Sequence, residues 1–543
     1  MPTLQRHTAA APTVTTNINF AFAGATAAPG SAVPNLTQQL GFFQARGLTP
    51  KATDLFVLLA GANDVLNTIS NPATQNLTAV AAAGNTASVA VAGAVRTLAN
   101  SGARNFLVLN LPDIAQTPRF TTGSGAPAAS LAQTGSLAFN TSLRGNLLAA
   151  GLPVDANVTV VDIQSFIATI LRDPARFGFN ITNLDVIDIL GAGGNPGSFE
   201  QYVFWDSIHP TTKTHAILAG ALQEILNPEF VLGTAAAQAT AILGLADMAA
   251  DTVDSRLDMI RHGGPRHQAD GFVSVNYKDG SRDGNGFQPD YGFKATVVTA
   301  GFDYQWSPNM TVGLAFSADK MRSRFATTGG SFRVQGLTSA AFMQYQSGKF
   351  FAEATANIAT HDVTDIVRLT ALGALPTKGE SSGDGFGGSF RMGTDFISEN
   401  LHFTPFVGVR YADSLLRRYQ ETGVNGLNFA FGRQRFKAST GFVGASADWT
   451  LHTGDTPLVL NLLGVYQTGV GTEGRTLSGR LADNLSLNST ISVKDGNGDS
   501  FKAGVRVTRA IGKRWSWTGG FLADFRDNGN TAKQYSFSVQ TGY

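Results

Sequence analysis

Two periodicities divide the chain. As far as Leu226, short apolar runs alternate with stretches of helical spacing; from Gly271 onward the spacing of apolar positions is two. In the first half, Asn17 to Thr26 reads as a strand entering a Gly-containing turn. Asp54 to Val65 holds an uninterrupted apolar run bounded by Asp and Gly, the pattern of a buried parallel strand. Arg104 to Asp113 and Val158 to Asp162 repeat it. Helical spacing occupies Ser88 to Ala99, Leu131 to Leu148, Ile163 to Leu171 and Thr211 to Leu226. Strands alternating with helices predict a parallel sheet with helices on both faces.

Between the two regimes lies Thr234 to Ile260, Ala/Leu/Met-rich, with Ile242, Leu245, Met248 and Ala249 at helical spacing. Asp247, Asp251, Asp254, Arg256, Asp258 and Arg261 make its other faces polar, and His262-Gly263-Gly264-Pro265 ends it. A helix of about 28 residues spans roughly 40 Å, a full bilayer thickness. Those charges exclude a lipid-facing helix and leave either a soluble inter-domain helix or one enclosed in a polar lumen.

Beyond Gly271, Val298, Ala300, Phe302, Tyr304 and Trp306 share one face, while Thr299, Gly301, Asp303 and Gln305 share the other. Trp515, Trp517, Phe521 and Phe525 alternate with Ser516, Thr518 and Asp524 in the same way, and Phe501, Ala503, Val505 and Val507 with Lys502, Gly504, Arg506 and Thr508. Twelve such segments are expected. Some are joined by tight turns (Ser307-Pro308-Asn309, Gly512-Lys513), others by long Gly/Asp/Asn/Ser loops at Lys378 to Gly385 and Leu477 to Asp499. Short turns at one end and long loops at the other fit a transmembrane barrel, with aromatics near the strand ends as interfacial girdles. An even strand number closes the sheet and removes edges that lipid cannot satisfy. The alternative, a soluble sandwich, would have to bury a heavily charged face.

Composition narrows the chemistry. Lys+Arg number 40 and Asp+Glu 39, so no net field favours nucleic acid. The absence of Cys excludes disulfides, thiolate metal sites and a Cys nucleophile. The His residues are scattered, so no metal site and no cofactor are expected.

Three short blocks carry the candidate chemistry. Phe204-Trp205-Asp206-Ser207-Ile208-His209-Pro210-Thr211 sets a carboxylate and an imidazole three residues apart, ahead of a Pro. In serine hydrolases His takes the nucleophile's proton and Asp orients the His. By itself the pattern is equally that of a hydrogen-bonded loop. Gly61-Ala62-Asn63-Asp64 ends the first buried strand, where open α/β sheets place ligands. Asn63 is either a donor to a developing oxyanion or a turn residue capping the next helix. Phe22-Ala23-Gly24-Ala25-Thr26 is a Gly-containing strand end.

In this order the blocks resemble those of the GDSL (SGNH) lipases and esterases over residues 17–226. The resemblance implies that Gly24 and Asn63 are oxyanion-hole donors, and that Asp206 and His209 are the catalytic acid–base pair. The family's nucleophile block, Gly-Asp-Ser-Leu, is not matched. Met1 to Thr16 contain no Ser, Ser31 follows Gly24 rather than preceding it, and Ser207 lies inside the Asp–His turn. The expectation is therefore an N-terminally truncated passenger with an incomplete parallel sheet, inactive as given. His215, six residues past His209, is read as structural.

The order hydrolase, helix, barrel resembles the autotransporter esterases of Gram-negative bacteria, and the closing strand Gln534 to Tyr543 resembles the one read by the outer-membrane barrel assembly machinery. The implied organisation is multidomain: an α/β passenger at residues 1–230, a linker helix threading the barrel lumen at 231–264, and a 12-stranded transmembrane β-barrel at 265–543. The implied function is hydrolysis of acyl esters or lipids by a monomeric outer-membrane protein with its passenger on the cell surface. The other class is a non-catalytic outer-membrane scaffold carrying a degenerate passenger. An adhesin passenger would show solenoid repeats, and none are present.

Overall fold

The computed structural model describes residues 5–6, 17–195, 197–262, 268–284, 288–452, 456–471, 475–482, 489–493, 499–526 and 531–542. The passenger is built on three parallel strands, Leu55–Leu58, Asn105–Leu109 and Asn157–Val161, in that spatial order. The central strand is buried on both faces. Phe106 and Val108 pack with Val91, Val95, Leu143 and Leu147 on one side. Leu107 and Leu109 pack with Phe166, Ile167 and Ile170 on the other. The helices Leu77–Asn100 and Ala129–Ala149 cross at small residues: a Cβ on Gly84 would lie 2.3 Å from the Gly135 carbonyl oxygen.

Among the described residues Leu55–Leu58 is an edge strand, paired on one side only, and Leu55, Val57 and Leu59 are exposed. The strand expected over Asn17 to Thr26 shrinks to Ile18–Asn19, which pairs in parallel with Gln5–Arg6 instead of joining this sheet. A second parallel pair, Ile181–Asp185 with Tyr202–Phe204, leads into the Asp206–His209 loop.

The helix Pro228–His262 follows and runs into a closed antiparallel barrel; the expected stop at Gly263 to Pro265 lies outside the described residues. Phe396–Ser398 continues the strand Pro376–Thr394, so the hydrogen-bonded order comprises twelve strands. The barrel closes where Thr531–Gly542 pairs with Ala269–Arg282 and Pro376–Thr394 with Leu401–Leu416. Alternation sorts the faces as expected: Phe302, Trp306, Phe501 and Trp515 point outward, whereas Thr299, Asp303, Lys502 and Thr518 are buried inside.

The helix lies in that lumen, and its charges are paired there. Arg256 donates to both oxygens of Asp303 (2.7 and 2.9 Å). Asp258 receives Arg261 (2.7 Å), Arg391 (2.8 Å) and Arg506 (2.7 Å). Asp251 pairs with Lys502 at 2.9 Å, and Asp254 with Arg410 at 2.7 Å. A charged helix is tolerated in this place because nearly every ion faces a counter-ion on the wall.

Lys378 to Gly385, expected as a loop, is strand. Its small residues let it pass beside bulkier neighbours: the Cβ positions of Gly379 and Gly383 fall 3.0 Å from Tyr419 and 2.7 Å from Ile242. The expected loop Leu477 to Asp499 likewise holds strand segments. Tyr419–Gln420, Phe429–Phe431, Arg475–Leu481 and Ser489–Val493 form a small sheet beyond the barrel proper. It holds the start of the lumen helix, with Gln238 donating to the Tyr419 hydroxyl at 3.1 Å and Arg475 to the Ala236 carbonyl at 3.2 Å.

Passenger, helix and these hairpins share one apolar core. Phe166, Phe177 and Ile225 from the passenger, Leu232 and Ile242 from the helix, and Leu372, Val424, Leu427 and Phe429 from the hairpins belong to it. At its rim Arg176 donates to the carbonyls of Gly373 (3.0 Å) and Ala374 (2.9 Å).

Candidate active site

The helix Ala62–Ser70 organises the site. Gly61 precedes it at φ 121°, a conformation that favours glycine, and a Cβ there would sit 2.6 Å from the Phe139 ring. This turn brings Asn63 and Asp64 to the loop around Gly24. The Asn63 side-chain N–H donates to the Ala25 carbonyl at 2.8 Å, and an amide carries a second N–H. Asp64 accepts from the backbone N–H groups of Ala27 (2.8 Å) and Ala28 (3.0 Å). Burial raises the Asp64 carboxyl above its ordinary range, against the lowering effect of those same N–H groups. Gly24 itself has φ 80°, so the loop requires glycine there. Asp64 closes the Gly61-Ala62-Asn63-Asp64 block read from sequence, where only Asn63 is given a role.

The loop carrying Asp206 and His209 rests on the same helix. Ile208 packs against the apolar group formed by Val65, Leu66, Ile69, Ile114 and Phe120, and the Arg119 N–H donates to the Ser207 carbonyl at 2.9 Å. Asp206 is the hub. One carboxylate oxygen accepts from the N–H groups of Ile208 (2.9 Å) and His209 (2.7 Å), and the other lies 2.7 Å from His209 Nδ1. Burial pushes the Asp206 carboxyl up, but the two N–H groups and the imidazole outweigh it and hold the carboxyl below its usual range. An ionised Asp206 favours the His209 tautomer with its proton on Nδ1, which presents an Nε2 lone pair outward. The His209 side chain is 68% exposed, open to an incoming molecule.

Trp205 is stitched into this arrangement by its backbone: its N–H donates to the His209 carbonyl (2.7 Å), and its carbonyl accepts from the Ile187 N–H (3.1 Å). Its half-exposed ring meets Phe199 edge-on at 5.6 Å, whereas Phe204 is buried as a packing residue. Asp185, missed from sequence, is buried beneath the loop and accepts from the Asp188 N–H at 2.7 Å. Burial raises its carboxyl, and the nearby Asp188 and Asp206 charges add to the effect. His215 bonds the Thr211 carbonyl within its own helix turn. The Ser31 hydroxyl accepts from the Val33 N–H at 3.0 Å, and among the described residues no serine hydroxyl bonds His209. No group of three or more His, Asp or Glu side chains among the described residues is placed to hold a metal ion.

Comparison with known proteins gives the two halves their families. Residues 2–222 match the model of the GDSL-like lipase/acylhydrolases, and residues 271–521 that of the autotransporter β-domain. The chain joins a GDSL-type segment to an autotransporter β-domain. The match over residues 271–521 makes the barrel an outer-membrane barrel of the autotransporter type, with the preceding segment at the cell surface. Among relatives, esterase EstA of Pseudomonas aeruginosa is 26% identical over 352 residues, covering 60% of this chain and 51% of that protein. An uncharacterised protein of Pseudomonas putida is 24% identical over 398 residues, covering 70% of this chain and 63% of the relative. The chain therefore spans about half to two thirds of the length of the curated relatives it matches. Among solved structures, the translocator domain of the autotransporter NalP from Neisseria meningitidis is similar, at 12% identity and a TM-score of 0.46, over 55% of this chain and 96% of that one.

Proposed function

We propose that the passenger is a carboxylic-ester hydrolase site in which Asp206 and His209 form the acid–base pair and Gly24 and Asn63 supply oxyanion donors. The observation that carries this reading is the 2.7 Å contact of His209 Nδ1 with an Asp206 carboxylate held by two further N–H groups. A serine hydroxyl would attack the ester carbonyl while His209 Nε2 takes its proton. The imidazolium would then protonate the leaving alcohol, and water activated by the same His would release the acid. The Gly24 N–H and the second Asn63 N–H would meet the tetrahedral oxyanion, each such donor lowering the barrier by about 3 kcal/mol.

The serine is not supplied by Ser31 or Ser207, so residues 1–543 alone are proposed to lack turnover. The test compares this chain with a form extended upstream to carry a Gly-Asp-Ser block, using a chromogenic acyl ester. Turnover by the extended form, lost on His209→Ala, supports the reading. Turnover by the chain as given that survives His209→Ala sinks it. The second reading, a non-catalytic surface scaffold, is favoured by the lack of a serine partner for His209 among the described residues. It predicts no turnover from either form.

A further inference from the structure

The outer face of the barrel carries a groove that the passenger's chemistry does not use. It has a volume of about 420 Å³ and is lined by Ile511, Trp515, Ser516, Trp517, Phe537 and Val539 on the last three strands. That volume lies within the ~300–1,000 Å³ of ordinary small-molecule sites. Register explains the groove. Trp517 stands opposite Val539 on one side and Arg509 on the other, and Trp515 opposite Ile511. One step further from the turn, Gly519 stands opposite Phe537 without a side chain, so the Trp517 ring leans over it, 3.6 Å from where a Cβ would stand, and stacks on Phe537 at 6.4 Å. The result is an apolar trough with aromatic walls.

Three cations border it. Arg509 is exposed in the same cross-strand row as Trp517, and Lys513 and Arg514 occupy the turn between Ile511 and Trp515. Among the described residues none of the three is paired with a carboxylate. The turn lies at the end of the barrel away from the passenger. Arg509 is in register with Leu458 at the short-connection end, where Leu401 meets Trp449 in the adjoining strands. With the passenger outside, this is the periplasmic leaflet. Cations in a lipid-facing girdle place their charge in the headgroup layer while their stems cover apolar surface. Each contributes ~1 kcal/mol toward an anionic lipid surface.

We propose that this groove is a binding site for one anionic phospholipid of the periplasmic leaflet. An acyl chain lies along the outward faces of Trp515, Trp517, Phe537 and Val539, and the phosphate headgroup is held by Arg509, Lys513 and Arg514. The site is formed by the barrel alone and is independent of the proposed esterase reading.

The test uses the full chain, purified in non-ionic detergent and titrated with phosphatidylglycerol or phosphatidylethanolamine, with bound lipid read by native mass spectrometry. Heat-modifiable gel mobility verifies that each variant is folded. The expected result is a retained phosphatidylglycerol adduct, weakened roughly fivefold for each cation replaced by Gln, the factor that ~1 kcal/mol represents. Trp517→Ala should weaken both lipids by opening the trough. Equal retention of the two lipids by the unaltered protein overturns the proposal. So does a folded R509Q/K513Q/R514Q variant that holds phosphatidylglycerol as well as the unaltered chain. If that variant binds lipid normally but inserts poorly in cells, the cations serve barrel assembly instead, and the lipid site is again overturned.

Discussion

Arg368 on a barrel strand and Glu224 on the last passenger helix form a buried ion pair across the seam between the two parts of the chain. Arg368 also holds Glu421 of the hairpin sheet, donating at 3.0 and 2.7 Å, and the second Glu224 oxygen accepts from the Ala371 N–H at 2.6 Å. Replacing Arg368 with Ala would leave two buried carboxylates facing each other. A loss of about 3–5 kcal/mol is expected, as for removing one partner of a buried pair. The measurement is limited proteolysis of folded protein in detergent micelles: cleavage should appear near the start of the lumen helix in Arg368→Ala and not in Arg368→Lys.

The Asp206–His209 pair gives a kinetic prediction. In an upstream-extended form that turns over ester, Asp206→Asn should lower kcat by about four orders of magnitude while leaving KM nearly unchanged, because the amide favours the wrong imidazole tautomer. A fall in kcat of only a few fold would mean that Asp206 holds the loop and does not orient the base.

The lowered Asp206 carboxyl also sets a pH dependence of loop order. Its pKa is lower folded than unfolded, so its stabilising contribution is complete above the ordinary carboxylate value of about 4. That contribution is lost as pH falls through the lower folded value. Amide exchange of Ile208 and His209, which donate to this carboxylate, should stay protected at pH ~4 and lose protection only in stronger acid. Loss of protection already at neutral pH would refute the assignment.

Asp64 is expected to behave in the opposite sense. Its raised carboxyl favours the protonated folded state, so ionisation lowers stability as pH rises from the unfolded value through the folded one. Asp64→Asn should cost about 1–3 kcal/mol even so, because an amide offers one acceptor oxygen to the two N–H groups of Ala27 and Ala28. In the extended enzyme it should lower kcat more than it raises KM, since the loop it clamps carries Gly24.

In the lumen, Asp258→Ala would leave Arg261, Arg391 and Arg506 around a neutral site, at an expected cost of about 3–5 kcal/mol. A single cysteine introduced at Thr252, which is buried on the same helix, should become reactive to a small hydrophilic maleimide in this variant and remain shielded in the parent.

What could be read from sequence was what local spacing determines. Asp206 and His209 are three residues apart, and one tight loop suffices to join them. The barrel strands were legible because lipid outside and a polar lumen inside force strict alternation. What escaped depends on distant partners. Gly379 and Gly383 look like loop residues until Tyr419 and Ile242 are seen beside them. Asp64 looks like an ordinary first-turn acid until it meets the N–H groups of a loop more than thirty residues earlier. The hairpin sheet was read as loop because its strands are short and owe their order to the lumen helix and passenger packed against them.

The continuous core across the seam has a consequence for engineering. A passenger attached only by its lumen helix would behave as cargo on a hook, and any folded domain could take its place. Here Leu372, Val424, Leu427 and Phe429 are roofed by Phe166, Phe177 and Ile225. A foreign domain grafted onto the helix would leave that floor wet, so display of unrelated proteins on this barrel calls for redesigning the hairpins along with the graft.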